Sequence, residues 1–169
     1  MPDDIWFLVQ DSIVISCADA LVIQVSPQAE AFILLGKRTY EPAKGLWWCI
    51  GGRKNPGESH EEGAARNVKR ELGITIDPLR FKFLGSYSLV WAKRRHGPQE
   101  HGVHDDSNVS VVFLTDGEKG RITPNKEYSE VRWFSIQEIL GQSSEFHPAI
   151  VKMCQDFLEK FGPARPPIR

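Results

Sequence analysis

A chain of 169 residues, 41% of them hydrophobic, is long enough to bury one real core and short for two domains of ordinary size. Its 21 basic and 22 acidic residues leave a net charge of −1, which excludes a broad basic surface for nucleic acid or membrane and favours a small-molecule partner. Cys17, Cys49 and Cys154 lie far apart and are odd in number, which excludes a zinc motif or a disulfide framework and predicts buried thiols. No apolar run reaches the roughly 18 residues of a membrane span and no basic leader opens the chain, so a soluble cytoplasmic protein is expected.

In chain order, Pro2-Asp3-Asp4 followed by IWFLVQ predicts a short helix. The aliphatic and β-branched run SIVISCADALVIQV, the turn Ser26-Pro27-Gln28 and the run AFILLGKR predict strands joined by a hairpin. LWWCI reads as one further buried strand, ended by Gly51-Gly52 where the chain must turn sharply.

The segment GGRKNPGESHEEGAARNVKRELGI, residues 51–74, follows. Ser59 and Glu62 form a capping box, Ala64, Ala65, Val68 and Leu72 recur at helical spacing, and Gly73 stops the run, so a helix is predicted over about 60–72. Gly63, Asn67 and Glu71, four apart, share one face. Arg66 has two partners within reach, Glu62 on the helix and Glu58 across the turn. A strand, a glycine turn and a helix in this order can bring the Gly51 carbonyl and the Glu71 carboxylate together around a hard cation.

Beyond the helix, RFKFLGSYSLVW, NVSVVFLT and VRWFS predict strands, and SIQEIL and HPAIVKMCQDFLEKF predict helices with Ser135 and Pro148 at their starts. His147 is expected at the start of the last helix, and residues 162–169 as a frayed tail. The one long polar connection, residues 92–107, carries His96, His101 and His104 with Asp105 and Asp106, and is expected as a loop from which a histidine reaches the site.

Residues 52–74 resemble the signature of the Nudix hydrolases: Gly, five residues, Glu, seven residues, then Arg-Glu-aliphatic-any-Glu-Glu-any-Gly-aliphatic. Gly52, Glu58, Arg66, Val68, Glu71, Gly73 and Ile74 stand in register, while Asn67 and Arg70 replace two glutamates. The resemblance implies a single domain over 1–161 with a Nudix-type α/β/α sandwich around a central mixed β-sheet. It also implies a divalent cation, Mg²⁺ or Mn²⁺, and a nucleoside diphosphate-linked small molecule as substrate.

Within the superfamily, residues 33–53, 84–91 and 130–135 are similar to the GDP-mannose mannosyl hydrolases, and a homodimer is one expectation for the chain. That similarity implies Arg38 and Arg53 as catalytic groups that grip the diphosphate, since a guanidinium presents paired donors and keeps its charge. It implies Glu127, with Gly51 and Glu71, as a metal ligand, Glu71 and Glu127 also acting in catalysis. Trp48, whose neighbour Trp47 points to the other side of the strand, is assigned to stacking on a base or sugar, and His104 to binding substrate. Tyr128 aligns with the general-base histidine of those enzymes, and a phenol is a poor base at neutral pH. Three expectations therefore stand: attack on the sugar carbon of a nucleotide sugar, attack on phosphorus in another nucleotide, and a nucleotide-binding sensor.

Overall fold

The computed structural model describes residues 2–95, 97 and 102–162. Helix α1 (Asp3–Ser12) leads into strands β1 (Ile15–Val25), β2 (Ala31–Arg38), β3 (Trp47–Trp48) and β4 (Ile50–Arg53). Helix α2 (His60–Leu72), strands β5 (Lys82–Trp91) and β6 (Val103–Phe113), helix α3 (Asp116–Lys119), strand β7 (Tyr128–Ser135) and helices α4 (Ile136–Gly141) and α5 (Pro148–Phe161) complete the order.

The described strands form one mixed sheet in the order β3-β2-β1-β6-β5, with β4 also pairing β1 and β7 pairing β2. β1 runs parallel to β6 and antiparallel to β2 and β4. A strand with neighbours on both edges and layers on both faces reads as a nearly continuous apolar run, as the CADALVI stretch of β1 does apart from Asp19.

Strand alternation divides the core between two faces. Ala20, Val22 and Leu34 pack under Ala64, Val68 and Leu72 of α2. Leu21, Ile23, Ile33 and Leu35 pack under Ile139 of α4 and Ile150, Met153 and Phe157 of α5. This is the expected α/β/α sandwich, and its three cysteines are free and buried. No described helix is long and apolar enough to cross a membrane.

α2 begins and ends where its residues dictate. Ser59 accepts from the Glu62 backbone while the Glu62 side chain accepts from the Ser59 backbone, and Gly73 closes the helix at φ +73°. His147 accepts from Ala149 N at 3.2 Å and so caps α5, with Pro148 in the first turn.

Two expectations are corrected, and one helix is added. LWWCI is two short strands split at Cys49, because β3 pairs with β2 and β4 with β1, so the chain changes partner midway. β6 begins at Val103 inside the stretch read as a loop, since backbone pairing of Asp105, Asp106 and Ser107 with Ile15, Ser16 and Cys17 outweighs their polar side chains. α3 was not expected, although Thr115 and Glu118 form a second capping box at its start. His96, His101 and residues 163–169 of the tail lie outside the described residues.

Candidate functional site

The site is built on the turn from β4 into α2. Gly51 lies opposite Asp19 of β1, and a Cβ on it would stand 2.0 Å from Asp19 Oδ1 and 2.6 Å from Asp19 Cα, so only glycine allows this approach. Glu71, 2% exposed, reaches back to the same turn. Its Oε2 accepts from Gly51 N–H at 3.1 Å and from the Tyr128 hydroxyl, and its Oε1 accepts from the Arg70 guanidinium.

Tyr128 packs its ring against Gly36, where a Cβ would fall 2.2 Å from the ring. Burial, and then the neighbouring Glu71 charge, push the Tyr128 phenol well above its ordinary range. It stays protonated and donates to Glu71, so it cannot serve as the base of this site.

The other end of α2 holds its charges in structure. Arg66 donates to Glu58 Oε1 at 2.6 Å and Oε2 at 2.9 Å, to the Arg53 carbonyl at 2.9 Å and to Asn67 Oδ1 at 2.8 Å. Glu58, and not Glu62, is therefore its partner. The Arg66 hydrogen bond first of all holds the Glu58 carboxyl down to about 2. Asn67 donates its two amide hydrogens to the carbonyls of Ala18 and Gly52, each at 2.9 Å.

Beside the turn opens a cleft of about 580 Å³, a size ordinary for small-molecule sites. Arg38, Arg53, Arg70 and Arg95 line it together with Asp19, Glu71, Asp105 and Glu127. Arg38 Nε donates to the Pro42 carbonyl at 2.9 Å, Arg53 lies 4.1 Å over the Trp6 ring, and Arg95 lies 3.9 Å over Tyr40 while pairing with Glu127 at 3.2 Å.

Asp19 is buried and accepts from the Ser107 hydroxyl. Burial raises its carboxyl to about 7, with Glu71 and Asp105 adding to the rise and Ser107 opposing it. Burial likewise raises Asp105 to about 6. Asp19, Arg70 and Arg95 were not anticipated as cleft residues. A lone acid inside the apolar run CADALVI was the available signal for Asp19, because a buried carboxylate is costly and persists only for a reason.

Trp48 lines the cleft, yet the residue is 6% exposed and its ring meets Trp91 edge-on at 5.1 Å and His147 at 5.3 Å. Trp47 instead packs on Phe134 at 4.9 Å. His104 is corrected: Val103, Asp105 and Ser107 line the cleft, and strand alternation turns the exposed His104 to the opposite side, across from Val90.

Gly51, Glu71 and Glu127 share the cleft and offer hard oxygens, the right kind of donor for Mg²⁺ or Mn²⁺. Their arrangement does not fit such an ion as it stands. Glu71 already accepts from three donors, one of them a cation, and Glu127 is paired with Arg95. Among the described residues no group of three or more His, Cys, Asp or Glu side chains is placed to hold a metal.

A mixed sheet between helices, with a glycine turn and a buried glutamate beside an arginine-lined cleft, defines an α/β/α sandwich with one charged site at the turn. The sequence profile of the NUDIX domain matches residues 17–157, and the chain belongs to the NUDIX family of hydrolases. It is similar to the NAD-capped RNA hydrolase NudC of Haemophilus influenzae, 27% identical over 124 residues, which cover 73% of this chain and 41% of that protein. It is also similar to the oxidized purine nucleoside triphosphate hydrolase of Mus musculus, 29% identical over 125 residues, 70% of this chain and 66% of that one. The chain thus spans about two-fifths of the NudC relatives it matches.

Among solved structures, the fold is similar to that of the NUDIX domain of Shewanella oneidensis NrtR complexed with ADP ribose, at TM-score 0.66 and 15% identity, covering 95% and 99% of the two chains. The MutT protein of Methanosarcina mazei Go1 gives TM-score 0.66 and 23% identity over 87% and 94%.

Proposed function

We infer that this chain hydrolyses a nucleoside diphosphate linked to a further moiety. The observation that carries the reading is the set of four arginines, Arg38, Arg53, Arg70 and Arg95, around one cleft beside the Gly51–Glu71 turn. Guanidiniums match phosphate oxygens with paired donors, and fixed positive charge stabilises the charge that develops on a departing phosphate. Arg38 and Arg53 take the diphosphate in this reading, held in place by the Pro42 carbonyl and the Trp6 ring. Arg95 releases Glu127 to reach the ligand. Asp19, raised to about 7, is the carboxyl able to exchange a proton with an attacking water near neutral pH. Trp48 offers a ring edge to the rest of the ligand.

The further moiety is left to experiment among a nucleotide sugar such as GDP-mannose, which the resemblance implies, ADP-ribose, which the NrtR domain holds, and NAD-capped RNA, on which the NudC relatives act. The test is turnover of these compounds with products separated by chromatography, for the wild type and Asp19→Asn. Nucleoside diphosphate plus free sugar means that the carbon–oxygen bond breaks, and nucleoside monophosphate plus a second phosphate means that the phosphoanhydride breaks. Binding of one member without turnover of any would replace the hydrolase by a nucleotide-binding module.

A further inference from the structure

Arg70 stands where the NUDIX signature has a glutamate, one residue before Glu71. We propose that its guanidinium is a tethered cation, which occupies the Glu71 carboxylate in place of a divalent ion and turns its remaining donors to the phosphates of a ligand in the cleft. The ligand half of this rests on the function proposed above; the competition with a metal ion does not.

Four observations meet here. Arg70 Nη2 donates to Glu71 Oε1, while Oε2 is taken by Gly51 N–H and the Tyr128 hydroxyl, leaving about one of the carboxylate's four acceptor directions. The carboxylate is buried at 2% exposure and the Arg70 side chain is 49% exposed on the cleft wall, so the acid is sealed and the guanidinium is not. An arginine has five donor hydrogens, and this one spends few of them.

The guanidinium lies close against the turn: a Cβ on Gly52 would stand 3.0 Å from Arg70 Nη2. Asn67, the second altered position, closes the other route to a metal: its two amide hydrogens are bound to Ala18 and Gly52 carbonyls and its oxygen to Arg66. Turning that oxygen toward a cation would break all three bonds. A doubly charged ion at Glu71 would lie beside a fixed positive charge in a partly buried site, where repulsion is screened poorly.

Binding of Mn²⁺ followed by electron paramagnetic resonance tests this without a substrate. Wild type and Arg70→Lys should bind the ion no tighter than ~1 mM at this site. Arg70→Gln should bind it at least about tenfold tighter, and the gain should vanish in Arg70→Gln/Glu71→Gln. Thermal melts of each variant verify that it is folded. A wild-type Mn²⁺ site that Glu71→Gln abolishes, or no gain in Arg70→Gln, overturns the proposal. In parallel, calorimetry with ADP in EDTA should give wild-type binding that Mn²⁺ does not improve, and binding weakened about tenfold or more in Arg70→Gln. Loss of nothing in that variant overturns the phosphate half of the proposal. Failure of wild type to bind ADP in any buffer counts against the proposed function, while the Mn²⁺ titration still decides the role of Arg70.

Discussion

The two ends of the 51–74 segment obey different rules. At its start Glu58, Ser59, Glu62 and Arg66 lock the turn onto the helix by hydrogen bonds among themselves and to the Arg53 and Asn55 backbone. At its end Asn67, Arg70 and Glu71 face the sheet and cleft, and two of these three depart from the family signature. The half that departs is the half that handles charge. Residues that build the turn are constrained by the fold whatever the chemistry, whereas Arg70 and Glu71 line the cleft, where the proposed ligand sets the requirement.

Gly51 belongs to both halves, and breaking it should give the largest effect. Gly51→Val drives side-chain atoms into Asp19, whose backbone Cα lies 2.6 Å from the position of even a first carbon. We expect a loss of roughly 3 kcal/mol or more by denaturant unfolding, because backbone cannot swing aside as a flexible side chain does. A loss under about 1 kcal/mol would show that β4 can part from β1 cheaply, and that the turn does not fix the site.

Arg66→Ala isolates the structural half. It removes donors from Glu58, Arg53 O and Asn67 together, and should cost about 2–3 kcal/mol by thermal unfolding. Glu58 gives the same contrast a pH signature. Its folded carboxyl sits at about 2, below its unfolded value, so its contribution is complete above the ordinary carboxylate range and is lost as pH falls from about 5 toward 2. Glu58→Gln should flatten that acid limb, and an unchanged limb would mean that other carboxylates dominate it.

Much of this was legible in the sequence, and the reason is local. α2 could be bounded to the residue because its capping box and its closing glycine are chemical signals within a few positions of its ends. The start of β6 was not legible: His104, Asp105, Asp106 and Ser107 look like a loop, and only pairing with β1, some 90 residues earlier, makes them a strand. The same limit governs the site. Glu71, Gly51, Arg38 and Arg53, expected through the signature and its resemblance, line one cleft, while Asp19 and Arg95 come to it by tertiary contact alone. The partner of Arg70 was invisible because adjacent residues on a helix do not ordinarily face each other.

Asp19→Asn sharpens the charge-handling half. The folded carboxyl is raised to about 7, so between about 4 and 7 the native state holds a proton that the unfolded chain has released, and stability falls as pH rises through that window. The sign is opposite to that of Glu58. Asparagine keeps a neutral group at the position, and should remove the pH-dependent loss of stability across the window while abolishing turnover. Turnover that survives in Asp19→Asn would take the proton-transfer role away from this residue, even with the stability effect in place.

The smallest effect belongs to His104, and it tests whether the cleft has the side assigned to it. On β6 the residues facing the cleft are the odd-numbered Val103, Asp105 and Ser107, and an intervening residue cannot reach the same ligand without a one-residue slip in register. Such a slip would turn Asp105 and Ser107 outward, break the Ser107–Asp19 hydrogen bond, and expose the apolar stretch Val109–Val112 to the wrong layer. His104→Ala should therefore change stability by less than about 0.5 kcal/mol and leave nucleotide affinity unchanged. If affinity fell about tenfold instead, β6 would have to begin later in the bound state than it does here, so that His104 leaves the face assigned to it.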